Sequence, residues 1–192
     1  DDPILTFTAT GAIAGQTPKF TGALTRADGE NVGDTYAITN GGALALADNG
    51  AFLATNYNLV FDADPVVNFA ITAKNASTLT IDAIAPLTYN GKAQEPAVTV
   101  KDGERTLEMG EDKDYTVSYT NNTNAGTATV TVTGQGNYTG TKEKTFTIVP
   151  ATITVTPTAN QSKVFGAADP DLTYADVVAV VDGQTPVITG KL

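Results

Sequence analysis

Residues 124–148 read NAGTATVTVTGQGNYTGTKEKTFTI, and this stretch decides the fold. Thr alternates with Ala and Val from Ala128 to Thr133, as in a strand with one apolar face. Gly134–Tyr138 is typical of a turn, and a second strand ends at Ile148. The same motifs (Asn-x-Gly, an alternating strand, Asn-Tyr and Phe-x-Ile) occur in the same order between residues 31 and 71. The recurrence predicts one β scaffold that is used more than once.

The composition narrows the possible classes of function. Hydrophobic residues make up 41% of the 192 residues, which is enough to bury a core. The formal net charge of -10 disfavours nucleic acid and anionic membrane surfaces as partners. The chain contains neither Cys nor His, which removes thiol nucleophiles, imidazole bases and the usual zinc ligands. We therefore expect no cofactor, and only carboxylates remain as candidates for chemistry.

Strands are predicted throughout the chain, because no long stretch keeps a 3.6-residue apolar period. The two best helical candidates, Ala43–Asp48 and Ala175–Val181, are short. Strands are expected first at residues 2–7, 34–39, 56–61 and 66–73, and then at 79–81, 87–89, 97–100, 115–119, 127–133 and 141–148. The charged segment 101–114 is expected to be a solvated hairpin or loop. Alternation in the last three strands predicts an inward face made of Tyr115, Val117, Tyr119, Ala128, Val130, Val132, Phe146 and Ile148.

The end of the chain repeats earlier segments. Ile153–Val155 matches Leu79–Ile81 at a shift of 74 (153 minus 79). Asp169–Tyr174 matches Asp2–Phe7 at a shift of 167 (169 minus 2). We therefore expect an array of small units of about 75 residues arranged end to end. The predicted units are 1–74, which lacks its opening strand, 75–150, which is complete, and 151–192, the first half of a third.

Several of these motifs resemble the MBG, or mostly β-grasp, repeats of large bacterial surface proteins and adhesins. The motifs are Lys163–Gly166, Asp169-Pro170, Leu172–Tyr174, Leu24–Arg26, Gly29–Gly33 and Asn56–Leu59. The middle unit is similar to a sister repeat of such proteins through Tyr89–Gln94, Pro96, Asp114–Tyr119 and Gly134–Gly140. The resemblance implies β-grasp-like or β-sandwich-like units with little or no helix. It also implies an extracellular module on the bacterial cell surface that extends an adhesive tip.

Two pairs of acids are the weak metal candidates. Asp62 with Asp64, and Asp169 with Asp171, lie where Ca²⁺ could stiffen a junction between units. Neither pair fits a calcium loop, and solvated turn acids are the simpler interpretation. Paired carboxylates would also suit glycoside hydrolysis. No spacing in the sequence singles out one pair, so no catalytic residue is assigned. The Gly-rich turn 133–137 precedes a strand and not a helix, which favours a hairpin over a phosphate loop.

Three further features have structural interpretations. Lys142 and Lys144 share parity with Phe146, so one of them is expected to point toward the core at the start of the strand. An inward Lys could form an isopeptide crosslink to an Asn. The favoured alternative is an edge lysine that keeps its ammonium in water. Asn75 and Asn137 begin Asn-x-Ser/Thr sequences and are interpreted as turn residues.

The sequence therefore predicts a non-enzymatic surface module that serves as the stalk of an adhesin. The alternative is a binding module that holds a host glycan or matrix protein through end loops or an exposed sheet face with Tyr138 and Tyr57. Its ligand-binding residues are unknown. Residues 151–166 match the opening segment that the first unit lacks, so strand exchange between copies is a further expectation. The tail folding back within its own chain is the alternative.

Overall fold

The computed structural model describes residues 2–175, 177, 181 and 183–189. The chain divides into two compact units, Asp1–Ala73 (unit 1) and Lys74–Leu192 (unit 2). Strands predominate in both units, as the sequence predicted. Within the described residues the helices are two single 3-10 turns, Ala54–Asn56 and Ala76–Thr78.

Unit 1 contains two small antiparallel sheets. One pairs β1 (Lys19–Thr21) with β4 (Ala45–Ala47), with Phe20 opposite Leu46. The other has the order β2-β3-β5, formed by β2 (Thr25–Arg26), β3 (Tyr36–Thr39) and β5 (Asn68–Phe69). The buried apolar residues of this unit are Leu24, Tyr36, Leu44 and Phe52. Because so few apolar side chains are buried, polar contacts are important to the stability of unit 1.

Unit 2 contains longer strands and a larger core. Its strands are β6 (Lys74–Asn75), β7 (Thr80–Ile81), β8 (Leu87–Thr88), β9 (Val100–Asp102), β10 (Arg105–Thr106), β11 (Tyr115–Thr120), β12 (Gly126–Gly134), β13 (Tyr138–Thr139) and β14 (Thr141–Val149). They form sheets of order β11-β12-β14-β8, β10-β9-β7 and β13-β6. The pairs β14–β8 and β13–β6 are parallel, and the other pairs are antiparallel.

Alternation along β12 explains the core of unit 2. Ala128, Val130 and Val132 are fully buried, while the Thr residues between them are on the opposite face. Ala128 lies opposite Phe146 on β14, and Val132 lies opposite Val117 on β11. The predicted inward face is therefore confirmed. One end of this face packs on Leu79, Ile81, Val100 and Leu107, and the other on Ile84, Leu87 and Tyr89.

Of the repeated motifs, the Phe residue of Phe-x-Ile occupies a comparable place in the two units. Phe69 of β5 lies opposite Tyr36 of β3, just as Phe146 of β14 lies opposite Ala128 of β12, and both pairs are antiparallel. The two Asn-Tyr motifs differ: Asn56 ends a 3-10 turn, whereas Asn137 lies in a turn before β13. The division into units 1–74, 75–150 and 151–192 stays a prediction.

Two strand predictions in unit 1 were wrong, and the short helical candidate there is not a helix. The helical candidate Ala43–Asp48 contains strand β4 instead, because its backbone pairs with β1. Residues 2–7 form no ladder, and 56–61 form no strand after the 3-10 turn. Short unpaired segments leave too little alternation for a sequence pattern to decide. Part of the second helical candidate, Ala175–Val181, lies outside the described residues.

The charged segment 101–114 and the glycine-rich turn behave as predicted. The first contains the β9–β10 hairpin, with Arg105 opposite Asp102. In the second, Tyr138 N–H donates to Gln135 O at 2.9 Å, Gly136 has φ +59°, and strand β13 follows the turn. A positive φ favours glycine at this position.

Phe146→Ala tests the core assignment of β14. The change removes a ring that is 4% exposed, and we expect unit 2 to lose about 3–5 kcal/mol of unfolding free energy. Thr147→Ala on the opposite, exposed face of the same strand is the matched control, and its expected change is within about 0.5 kcal/mol. Urea unfolding followed by the amide signal of Val130 measures both, and equal losses would contradict the assignment.

Candidate functional site

A groove of about 670 Å³ lies within unit 1. Its floor is apolar and comes from β1, β4 and the segments that flank them. Segments 7–12 and 57–62 form its borders. The floor side chains are Pro18, Phe20, Leu24, Leu44, Leu46 and Phe52. The volume falls within the range of ligand pockets in proteins.

The two borders of the groove are built differently. Phe7 packs edge-on against Phe20, with ring centroids 5.0 Å apart, and is 43% exposed. On the other border Tyr57 stacks on Phe52 at 4.6 Å, and its hydroxyl donates to Gln16 Oε1 at 2.7 Å. The Tyr57 border is therefore fixed by ring stacking and a hydrogen bond. The Phe7 border has a half-exposed ring on a segment without strand pairing in the described structure.

The chemistry of the groove favours holding a ligand over breaking a bond. Asp62 is the single carboxylate among the residues that line it, and the neighbouring polar groups are amides and hydroxyls. Glycoside hydrolysis by the usual mechanism needs a pair of carboxylates that flank the bond. An extended or apolar ligand suits the aromatic floor best.

Arg26 is the polar centre of unit 1. Its side chain is 7% exposed and makes a two-point contact with the Asp2 carboxylate, Nε to Oδ2 at 2.6 Å and Nη2 to Oδ1 at 3.0 Å. Nη2 also donates to Glu30 Oε1 at 2.6 Å. The guanidinium lies between two rings, 5.0 Å from the centroid of Tyr36 and 5.1 Å from that of Phe69. Such contacts combine charge pairing with cation–π attraction.

The residues around Arg26 reinforce this cluster. The Tyr36 hydroxyl accepts from Asn31 N–H at 2.8 Å and donates to Asn31 O at 2.9 Å. At Gly29 φ is +137°, and an added Cβ would approach Tyr36 Cε1 to 2.3 Å, so this position requires glycine. The cluster therefore ties the N-terminal segment, β2, the 27–31 loop, β3 and β5 together.

Charge pairing shifts the pKa values of this cluster. The hydrogen bond from Arg26 lowers the pKa of Asp2, and the hydrogen bonds to Asp2 and Glu30 raise the pKa of Arg26. Both groups are therefore ionised at neutral pH. Sequence analysis included Arg26 in a motif but missed its role in charge pairing, although an Arg followed four positions later by Glu30 in an acid-rich chain is the signal that marks it.

Unit 2 has a smaller polar cluster at its first strand. Lys74 Nζ lies 2.6 Å from Asp102 Oδ1, and the Tyr138 hydroxyl donates to Asp102 Oδ2 at 3.2 Å. The hydrogen bond from Lys74 lowers the pKa of Asp102, while burial raises the pKa of Tyr138. The contacts fasten β6 to β9 and β13.

Tyr138 corrects one of the sequence expectations. It is only 6% exposed and belongs to the core of unit 2, so it cannot serve on an exposed binding face. Tyr57 is half-buried against Phe52. The prediction of an exposed sheet face with these two tyrosines was wrong, because the ring of Tyr138, which follows a turn, packs into the core.

Lys142 points to the core side of β14, as one of the two lysines was expected to do. It lies opposite Val132, and its ammonium donates to the carbonyl oxygens of Ser77 at 3.0 Å and of Leu79. These carbonyls lie at the end of the 3-10 turn 76–78, where unpaired acceptors need donors. Lys142 therefore caps a turn. Asn75, one of the two Asn-x-Ser/Thr residues, caps its start by accepting from Ser77 N–H at 2.8 Å.

The predicted metal candidates are dispersed. Asp62 and Asp64 are exposed, and Asp62 Oδ1 accepts from Asp64 N–H at 3.1 Å. Asp169 pairs with Lys163, far along the chain. Over residues 2–175, 177, 181 and 183–189, no three Asp, Glu, His or Cys side chains group as a metal site would require. The interpretation of Asp62, Asp64, Asp169 and Asp171 as solvated turn acids stays a prediction, with calcium binding as its alternative.

Comparison with known families bears on unit 1. Residues 1–65 match the MBG domain family, YGX type, and this match supports the MBG repeat that the motifs predicted. The match covers 65 of the 192 residues. MBG repeats are a non-catalytic type of module that typically occurs in bacterial surface proteins. No curated protein and no solved structure matches the chain. Among the described residues, no helix is long and apolar enough to cross a membrane.

Arg26→Lys tests the importance of the Arg26 cluster. Lysine keeps the charge but loses the two-point contact with Asp2 and the planar contact with both rings, so we expect unit 1 to melt several degrees lower. Arg105→Lys in unit 2, followed by the amide signal of Val130, is the control, because Arg105 is exposed in its pair with Asp114. Thermal unfolding followed by the amide signals of Ala37 and Ile38 reports unit 1. An unchanged midpoint for Arg26→Lys would refute this role.

The Asp2 contact also predicts a pH dependence. Because the pKa of Asp2 is lowered in the folded state, its contribution is complete above the ordinary value of 3.8 and disappears as pH falls through the lowered pKa. Asp2→Asn should therefore destabilise unit 1 at neutral pH and have little effect at a pH well below the lowered pKa of Asp2. Denaturant unfolding at both pH values measures the difference. Asp28→Asn, at an exposed position, is the charge-matched control; a difference that persists in acid would contradict the assignment.

Proposed function

We propose that this chain is a non-catalytic spacer module of a bacterial surface protein, part of the stalk that carries an adhesive tip away from the cell. The observation that carries the proposal is the match of residues 1–65 to the MBG domain, a module typical of bacterial surface proteins. The extracellular location belongs to the same proposal. The acidic, Cys-free and His-free composition supports it, because such a chain offers few groups for catalysis.

The strand pairing of unit 2 also supports a role under tension. Strand β8 near the start of the unit runs parallel to β14, and Leu87 is opposite Ile148. Tyr89 N–H continues the pairing by donating to Val149 O at 2.8 Å. When parallel strands are pulled from the N-terminal end of one and the C-terminal end of the other, they slide along each other. Their hydrogen bonds are then loaded together and not opened one at a time.

The first strand of unit 2 repeats this geometry. Strand β6 runs parallel to β13, and Lys74 N–H donates to Asn137 O at 3.0 Å. The Lys74–Asp102 contact lies at the same place. Tension that enters unit 2 through Lys74 therefore meets a parallel pair and an ion pair before it reaches the core.

A second candidate function is a binding module, and the apolar groove of unit 1 favours it. A host glycan or a matrix protein is the proposed ligand of that alternative. The aromatic floor suits apolar contact, and the chain has no Trp to serve as a sugar platform. A screen against glycans and matrix proteins separates the two functions, because saturable binding that Phe20→Ala abolishes would favour binding over spacing.

Tyr89→Pro tests the spacer proposal through its mechanical basis. Proline removes the N–H that bonds Val149 O, so we expect unit 2 to unfold at a lower force when the chain is pulled from its ends. Tyr89→Ala is the matched control, since it removes the same ring and keeps the N–H. Single-molecule force spectroscopy compares them. Equal unfolding forces for the two variants would refute the parallel pair as the resisting element.

A further inference from the structure

The chain contains three Asn-Gly pairs, Asn40-Gly41, Asn49-Gly50 and Asn90-Gly91. In such a pair the backbone nitrogen of the glycine can attack the side-chain amide carbon, Cγ, of the asparagine. The bond from Cγ to the amide nitrogen breaks, ammonia leaves and a succinimide ring remains, which water opens to isoaspartate or aspartate. Glycine hinders the attack least because it has no Cβ. The folded structure decides which asparagine can react, since Cγ must reach the next backbone nitrogen.

Hydrogen bonds hold two of these asparagines away from the reaction. Asn40 Oδ1 accepts from Leu44 N–H at 2.8 Å, and its Nδ2 donates to Leu44 O at 3.4 Å. Asn49 Nδ2 donates to Thr17 O at 3.1 Å, and the backbone N–H and C=O of Asn49 both pair with Phe52. Movement of either Cγ toward the next nitrogen would break these contacts, so folding protects Asn40 and Asn49.

Asn90 is held less firmly and in an arrangement that favours the attack. The residue is exposed, and its Oδ1 accepts from Lys92 N–H at 3.0 Å. In a turn of this kind the side-chain carbonyl folds over the next peptide group, which brings Cγ toward the Gly91 nitrogen. Over the part of the chain that the structure describes, neither Asn90 Nδ2 nor the Gly91 N–H makes a hydrogen bond. The attack therefore breaks fewer contacts here than at the other two pairs.

Gly91 also supports a turn of unit 2 that lies farther along the chain, the 181–184 turn. Gln184 N–H donates to Val181 O at 3.0 Å and closes this turn, and Gln184 Nε2 donates to the Tyr89 hydroxyl at 2.7 Å. Val181 is 8% exposed. A Cβ added at Gly91 would lie 2.6 Å from Val181 Cγ1 and 3.3 Å from Gln184 Nε2. The contact therefore has no room for another atom.

We propose that Asn90 is a site of spontaneous deamidation, and that its isoaspartate product releases the 181–184 turn from Gly91. Isoaspartate adds a methylene to the main chain, because the peptide bond to Gly91 then runs through Cγ. It also replaces a neutral amide with a carboxylate. The longer main chain displaces Gly91 from its close contact with Val181. Asn90 thereby acts as a slow and irreversible switch on the packing of unit 2, whether or not the chain serves as a spacer.

Ageing of the intact chain tests the modification. The folded chain is kept at mildly alkaline pH, which speeds the attack, and mass spectrometry of its peptides follows conversion of amide to acid at each Asn-Gly pair. We expect Asn90 to convert several-fold faster than Asn40 and Asn49. In urea, where the folded contacts are lost, the three rates should become similar. Equal rates in the folded chain, or faster conversion at Asn40 or Asn49, would overturn the proposal.

Hydrogen exchange in the aged chain tests the consequence. The Gln184 amide, which closes the 181–184 turn, should exchange several-fold faster after conversion at Asn90, whereas exchange of the buried Val130 amide should not change. Asn90→Gln is the matched control, since the longer side chain closes a larger ring far more slowly. Its Gln184 exchange should be the same before and after the treatment. Conversion at Asn90 that leaves Gln184 exchange unchanged would contradict the release of the turn.

Discussion

The antiparallel pairing of β12 with β14 is the constraint on which the larger unit depends. Val130, Val132 and Ala128 all project from one face of β12 because side chains alternate along a strand. A slip of one residue would turn these three side chains to solvent and bring Thr inward. The register therefore fixes Phe146 and Ile148 in the core and places Lys142 where it caps the 3-10 turn.

Unit 1 is stabilised in a different way, and this difference explains what the sequence could and could not predict. In unit 2 the long alternation of 115–119, 127–133 and 141–148 predicted both the strands and their inward faces. In unit 1 the strands are two to four residues long, too short for a pattern, and Ala43–Asp48 looked helical although β1 pairs with its central residues. The Arg26 cluster depends on residues distant in sequence, such as Asp2 and Phe69, which periodicity cannot connect.

The groove of unit 1 also follows from the difference in core size between the two units. A unit with few buried apolar residues leaves an aromatic floor within reach of solvent, and the two borders of the groove are segments without ladder partners in the described structure. Sequence analysis identified the tail segment 151–166 as a possible partner for unit 1 but had no means of finding the groove. Sequence analysis also placed Tyr138 on an exposed face. Alternation shows which residues of a strand share a face, but it does not show whether a residue that follows a turn points to the core or to solvent.

The central claim is that the β12–β14 pair holds unit 2 together, and native-state hydrogen exchange resolved by residue tests it most directly. The amides of Val130, Val132 and Phe146 should exchange only when the whole unit unfolds, because every smaller opening leaves this pair intact. The amides of β10, at the edge of its sheet, should exchange faster by local opening. Exchange of the β12 and β14 amides that is as fast as exchange in β10 would contradict the account.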